Sequence, residues 1–256
     1  MGEIMKKLLL VIPFVLAGCG GEIATTRAVL NLDYASTSLG YRNSGALSAG
    51  RLLLWDQSEE TLISLQSGIE LSTLPPTTPV KLEASSVQGV TVSTSVNLTQ
   101  EAQVAIASEV RSNVSFEISD AVRLNSTNIY DGLSAAYRDL SANGVNAYAA
   151  WRVADATGNS DRYKYVLLVD EIQASLERLS YENSNTNNFS FTVIDSVNGE
   201  IKVESPFNST AQCIGQNVTC YFNAAVIEAF INEDGNLDYS PAAFSKSTLV
   251  DAFLSL

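Results

Sequence analysis

Apolar and polar positions change period several times along the chain. From Ala28 to Tyr34 they alternate, with Leu30, Leu32 and Tyr34 on one side and Val29, Asn31 and Asp33 on the other, the two-residue period of a half-buried strand. Arg51 to Asp56 is instead a continuous apolar run around Leu52, Leu53, Leu54 and Trp55. With the polar turn Gln57-Ser58-Glu59-Glu60 and the run Thr61 to Leu65 it predicts a hairpin. In Ser72 to Pro79, Pro75, Pro76 and Pro79 hold the backbone extended and remove ladder donors. That segment either joins two subdomains or crosses the edge of one sheet. The stretch before it is too short for a comfortable core of its own, which favours the crossing. Val80 to Leu98 reads as strand, broken at Gly89.

Helical spacing begins at Thr99, a residue suited to cap a helix running to Asn113. Ala102, Ile106 and Val110 recur every fourth position, with Ala105 beside them. Only two or three residues of Phe116 to Leu124 are expected to be strand. The strongest helix follows, capped by Thr127 or Asn128. Asp131 sits in its first turn, Ile129, Leu133, Ala136, Tyr137 and Leu140 share one face, and Asn143-Gly144 stops it. Two hairpins are expected next. One pairs Asn146 to Ala154 with Arg162 to Asp170 around the turn at 155–161. The other pairs Phe189 to Ser196 with Glu200 to Glu204 around Val197-Asn198-Gly199, where Asn-Gly supplies the turn. A short helix is expected over Ile172 to Leu179. Asn223 to Ile231 reads as helix through Ala225, Val226, Ala229 and Phe230. A last helical region after Ser240-Pro241 carries the stripe Leu249, Val250, Phe253 and Leu254, expected to dock on the core. These elements predict an α+β fold, mainly antiparallel sheet built from hairpins with three to five helices. An all-β sandwich is the alternative. No repeat of fixed period is present.

Composition narrows the chemistry. The 256 residues contain 46% hydrophobic and 17% charged positions, enough apolar material for a sizeable core. There is no histidine, which excludes Ser-His-Asp and Cys-His nucleophile pairs and His-ligated zinc. With 15 Lys and Arg against 28 Asp and Glu the net charge is −13, the wrong sign for a nucleic-acid binder.

The first nineteen residues, MGEIMKKLLLVIPFVLAGC, set Lys6 and Lys7 before the apolar run Leu8 to Ala17. The run is shorter than the roughly 20 residues that span a bilayer and has the shape of a secretory signal. It ends in Leu16-Ala17-Gly18-Cys19, which resembles the lipobox of bacterial lipoproteins at all four positions. The resemblance is confined to this leader. It implies cleavage before Cys19, a thioether-linked diacylglycerol on Cys19 and fatty acylation, such as palmitate, of the freed amine. Two or three chains anchor stably because each buried CH₂ contributes about 0.8 kcal/mol. Gly20 in place of an aspartate points to the outer rather than the inner membrane. The expected organisation is a signal peptide over 1–18, a lipidated tether over 19–27 and a single α+β domain over 28–256, with its Pro-rich crossing at 72–79. The leader nets +1, so the mature chain carries −14.

Cys213 and Cys220 remain beside Cys19, and an oxidising envelope favours their pairing as a structural disulfide. Their spacing differs from the CxxC of redox-active pairs. The loop Asn232-Glu233-Asp234-Gly235-Asn236-Leu237-Asp238 offers alternate oxygens at Asn232, Asp234, Asn236 and Asp238 between two expected helices. That spacing makes it a candidate calcium loop, although an EF-hand register puts Leu237 or Tyr239 where glycine belongs. The plainer reading is a solvated turn. Asp170-Glu171 is the best-placed carboxylate pair for glycoside hydrolysis, but neighbours on a strand face opposite ways. No catalytic residue is assigned, no cofactor other than calcium is implied, and Trp55 and Trp151 read as core. By elimination the chain is expected to be a non-catalytic envelope lipoprotein that binds a protein partner or serves in an assembly. A lipid-anchored, carboxylate-dependent hydrolase of cell-wall or surface glycans is the alternative.

Overall fold

The structure, a computed structural model, describes residues 25–45, 47–185, 188–205, 213 and 218–256. The expected signal peptide, Cys19 and most of the tether lie outside these residues. The elements run in the order β1 (Thr26–Asn31), β2 (Ser36–Thr37), β3 (Gly40–Arg42), β4 (Leu52–Asp56), β5 (Thr61–Ser64), β6 (Ser72–Thr73), β7 (Val80–Ala84), β8 (Thr91–Thr94), α1 (Gln100–Asn113), β9 (Val114–Leu124), β10 (Ser126–Thr127), α2 (Ile129–Ala142), α3 (Ala147–Ala150), α4 (Val153–Gly158), β11 (Tyr163–Ala174), β12 (Leu176–Tyr181), β13 (Ser184–Asn185), β14 (Ser190–Asp195), β15 (Gly199–Glu204), β16 (Val218–Ile231), β17 (Leu237–Pro241) and α5 (Lys246–Phe253). The fold is α+β and mainly antiparallel, as the hairpin pattern predicts; among the described residues the one parallel pairing is β1 with β15.

An eleven-stranded sheet is built around β9, β11 and β16, and a four-stranded sheet runs β14-β15-β1-β8. Strands β11 and β16 each supply all three cores. Tyr165, Leu167 and Val169 of β11, with Ile227 and Ala229 of β16, pack under α2, α3 and α4 beside Leu133, Trp151 and Val153. The opposite face, through Val166, Leu168, Phe222 and Val226, packs on Leu249, Val250 and Phe253 of α5. Farther along, Ile172, Ala174 and Tyr221 join a third core with the four-stranded sheet and α1.

This two-sided burial explains two corrections. Asn223 to Ile231 is strand, not helix, because a central strand covered on both faces loses alternation and presents a run that also fits a helix. Ile172 to Leu179 is likewise strand. β11 continues to Ala174, and β12 turns back at Ser175 to pair with β9 from Leu176↔Ser119 to Tyr181↔Val114. Asp120 of β9 has φ +53, and the register against β7 shifts beside it. Consequently β9 spans Val114–Leu124, well beyond the short strand expected there.

A third correction falls on Asn146 to Ala154, which forms α3 and α4 and no hairpin strand. The Asn146 side chain accepts from the Ala149 N–H at 3.2 Å and so starts a helix. Arg152 at φ +49 separates α3 from α4. Trp151 is buried between them, donating from Nε1 to the Gln66 carbonyl at 2.8 Å and accepting at its own carbonyl from the Tyr165 hydroxyl at 2.8 Å.

Other expectations hold. Thr99 Oγ1 accepts from the Ala102 N–H, and Ala102, Ile106 and Val110 are the buried face of α1. The β4–β5 and β14–β15 hairpins pair as read, the second turning through Gly199 at φ +80. Residue Asn128 does precede α2 but at φ +56 and without a side-chain cap bond. The Pro-rich segment runs alongside residues 123–127: β6 pairs with β10, and the Leu74 and Thr77 N–H groups donate to the Asn125 and Arg123 carbonyls. α5 docks through the stripe read from its sequence.

Candidate functional site

Interior carboxylates are the first place to look for chemistry, and each is committed to a structural partner. Glu177 on β12 and Arg42 on β3 are both almost fully buried. Glu177 Oε2 accepts from Arg42 Nε and Nη2 at 2.9 Å, and Oε1 accepts from the Tyr221 hydroxyl. The guanidinium lies 5.3 Å from the centroid of the Phe116 ring. Burial alone would lower the Arg42 pKa, but the adjacent Glu177 carboxylate more than offsets this and raises it. Burial, with the same carboxylate, pushes the Tyr221 hydroxyl well above its usual range. The group is a clamp joining β3, β12 and β16, with its charges inaccessible to a substrate.

Asp170 and Glu171 do face different ways. Asp170 accepts from the Ser126 N–H at 2.8 Å, whereas Glu171 accepts from the Ala49 N–H, the Thr219 hydroxyl and Gln173 Nε2. The void beside them, bordered by Arg123, Asn125 and Asn223, has a volume of about 20 Å³, room for one water and no sugar ring. Asp195, at the β14–β15 turn, accepts N–H bonds from Thr99, Val197 and Asn198. These bonds, led by that of Thr99, hold its carboxyl well below the usual range. Asp56 is held down in the same way, chiefly by the Arg162 guanidinium bound at 2.6 Å.

The expected calcium loop is a tight turn between strands β16 and β17, not between helices. Asn232 Oδ1 accepts from the Asp234 and Asn236 N–H groups at 3.1 and 2.9 Å, so this oxygen already satisfies backbone donors. Among the described residues no group of three or more Cys, Asp or Glu side chains is placed to hold a metal ion. Cys213 and Cys220 are disulfide-bonded with Cα atoms 5.3 Å apart, both buried in the core under α1. Cys19 lies outside the described residues.

Two larger open concavities stand out among the described residues. A polar depression of about 490 Å³ is bordered by Ser48, Arg51, Ser64, Ser67 and Glu70. A groove of about 400 Å³ lies between β8 and α1, walled by Val90, Val92, Val96, Leu98 and Ile106 with Asn97 and Gln103. None of the residues bordering the groove is charged. Sequence reading missed it because β8 looks like any half-buried strand; nothing local marks a strand that lacks a neighbour on one side.

No protein-family model matches the chain, and no curated protein matches it. Among solved structures it is similar to a bacterial gasdermin from Bradyrhizobium tropiciagri, at 12% identity over 83% of this chain and 88% of that chain, with a TM-score of 0.34. A likeness of that size carries no argument about function.

Proposed function

We propose that the chain is a lipid-anchored, non-catalytic protein of the bacterial cell envelope that binds a protein partner or serves in an assembly. The observation that carries this reading is the state of the carboxylates. Glu177, Glu171, Asp170, Asp195 and Asp56 are each engaged by arginine, hydroxyl or backbone donors. The groove between β8 and α1 offers uncharged walls suited to another polypeptide. Leu16-Ala17-Gly18-Cys19 supplies the anchor, and Gly20 the outer-membrane address. Among the described residues no helix is long and apolar enough to cross a membrane. A mature charge of −14 is repelled by anionic lipid, so attachment falls to the acyl chains. Mass spectrometry of the mature N-terminal peptide tests this. A diacylglyceryl mass on Cys19, lost in Cys19→Ser with release or non-cleavage of the protein, is the expected result. An unmodified N-terminus on a protein free in the periplasm overturns it.

A further inference from the structure

We propose that β8 is a self-pairing edge, at which two copies of the chain join their four-stranded sheets into one eight-stranded antiparallel sheet across a twofold axis. The inference names the partner in the proposed function and rests on that reading of an anchored, assembling protein.

The argument starts from edge chemistry. A strand at the end of a sheet presents unpaired N–H and C=O groups, and natural sheets blunt such edges with charge, proline or a covering element. Other edges here carry such devices. β7 follows Pro79 and bears Lys81 and Glu83, and β17 bears Asp238 and ends at Pro241. The outer side of β5 is covered where the Leu62 N–H donates to Ser255 Oγ at 3.1 Å, and β14 carries Asp195 and runs beside α1. Strand β8 ends its sheet, pairs only with β1 among the described residues, carries neither charge nor proline, and is separated from α1 by the open groove. From Ser85 to Gln100 there is no charged residue and no proline, in a chain of net charge −13.

The groove defines what must enter. A strand added to β8 lays alternate side chains against Val92, Val96, Leu98 and Ile106, where a charged group would lose its hydration without a partner. The entering strand must therefore be β-forming and uncharged, with apolar residues two apart. The segment Val90-Thr91-Val92-Ser93-Thr94-Ser95-Val96 is itself such a strand, so a second copy fits. Facing requires like-facing residues to oppose, and centring the ladder on the four-residue strand Thr91–Thr94 leaves two registers. Val92 opposes the fully buried Leu30 and faces the core, while Ser93 opposes the exposed Val29 and faces out. A twofold normal to the sheet keeps inner faces together, so in the two centred registers either Val92 meets Val92 or Ser93 meets Ser93. The ladder is short, and anchoring both copies in one membrane raises their effective concentration.

Ser93 is exposed and lies at or next to the axis in both registers. In membranes carrying the full-length protein, Ser93→Cys treated with a bismaleimide spanning about 8 Å, the reach of a diagonal cross-strand pair, should give a band at twice the monomer mass. Wild type, and Ile194→Cys on the far edge strand of the same sheet, should not. No such band, equal bands at both positions, or an adduct with the mass of another protein overturns the pairing of two copies. In detergent, sedimentation should show a wild-type dimer weakened at least tenfold in Ser93→Lys, with the far-UV circular dichroism of the fold unchanged; a dimer that persists overturns the proposal. Lipidated Cys19 on a monomer sinks this inference alone, whereas an unmodified N-terminus sinks the anchored reading beneath it.

Discussion

Removing both halves of the Arg42–Glu177 pair should destabilise the fold by much less than the sum of removing each alone. Both side chains are excluded from water, at 1% and 2% exposure, and their facing atoms are 2.9 Å apart. Charge centres about 4 Å apart attract by about 4 kcal/mol at an effective dielectric of 20, and the desolvation of two ions opposes that gain. Arg42→Met leaves the Glu177 anion buried without its cation, and Glu177→Gln leaves Arg42 only the part-exposed Asp33 carboxylate at 3.6 Å; the expected cost of each is about 3–5 kcal/mol, the first being the larger. Arg42→Met also strips the cation from the Phe116 face; Glu177→Gln keeps an acceptor for the Tyr221 hydroxyl but loses the anion. In the double variant no ion remains buried, so its loss should fall well below the sum of the singles, with a coupling of about 2 kcal/mol or more. Urea unfolding of the four proteins at pH 7, with equal m-values, supplies the cycle. Additive losses, or singles below about 1 kcal/mol, would refute the assignment of this pair as a buried, mutually dependent clamp.

Three further expectations follow from particular contacts. Asp195 and Asp56 have carboxyls held below the ordinary value near 4, so their stabilising contribution is complete above that pH and is lost as pH falls toward the folded-state values. Asp195→Asn should accordingly lower the urea midpoint at pH 7 and converge on wild type in acid; equal loss at pH 7 and pH 3 counts against the mechanism. Gly89 has φ +67, and a Cβ there would lie 2.7 Å from Val250 Cγ2 on α5, so Gly89→Ala should cost about 2 kcal/mol through the left-handed backbone and the clash, read as a lowered thermal midpoint. Thiol labelling of the denatured, unreduced protein should find Cys213 and Cys220 blocked, and two labelled thiols would exclude the bond.

Much of this architecture was legible wherever a segment buries one face. Thr99 with Ala102, Ile106 and Val110 reads as a capped amphipathic helix, Asn198-Gly199 as a hairpin turn, and Leu249, Val250 and Phe253 as a docking stripe, because local spacing and local environment agree there. The pattern failed where burial comes from both sides. Ala225, Val226 and Ala229 are apolar because three cores meet along β16, a condition created by neighbours far away in the chain. Trp151 and Val153 looked strand-like because their burial arises from packing on β11 and not from helix periodicity. Chemistry divides along the same line. A lipidation signal is read from an extended chain, so the residues up to Cys19 suffice to propose the anchor without a fold. That Glu177 meets Arg42 across 135 residues, and that β8 ends a sheet with an uncharged edge, depend on which strands become neighbours. Only tertiary structure decides that, because a strand's hydrogen-bonding edges carry no side-chain signature of the partner they receive.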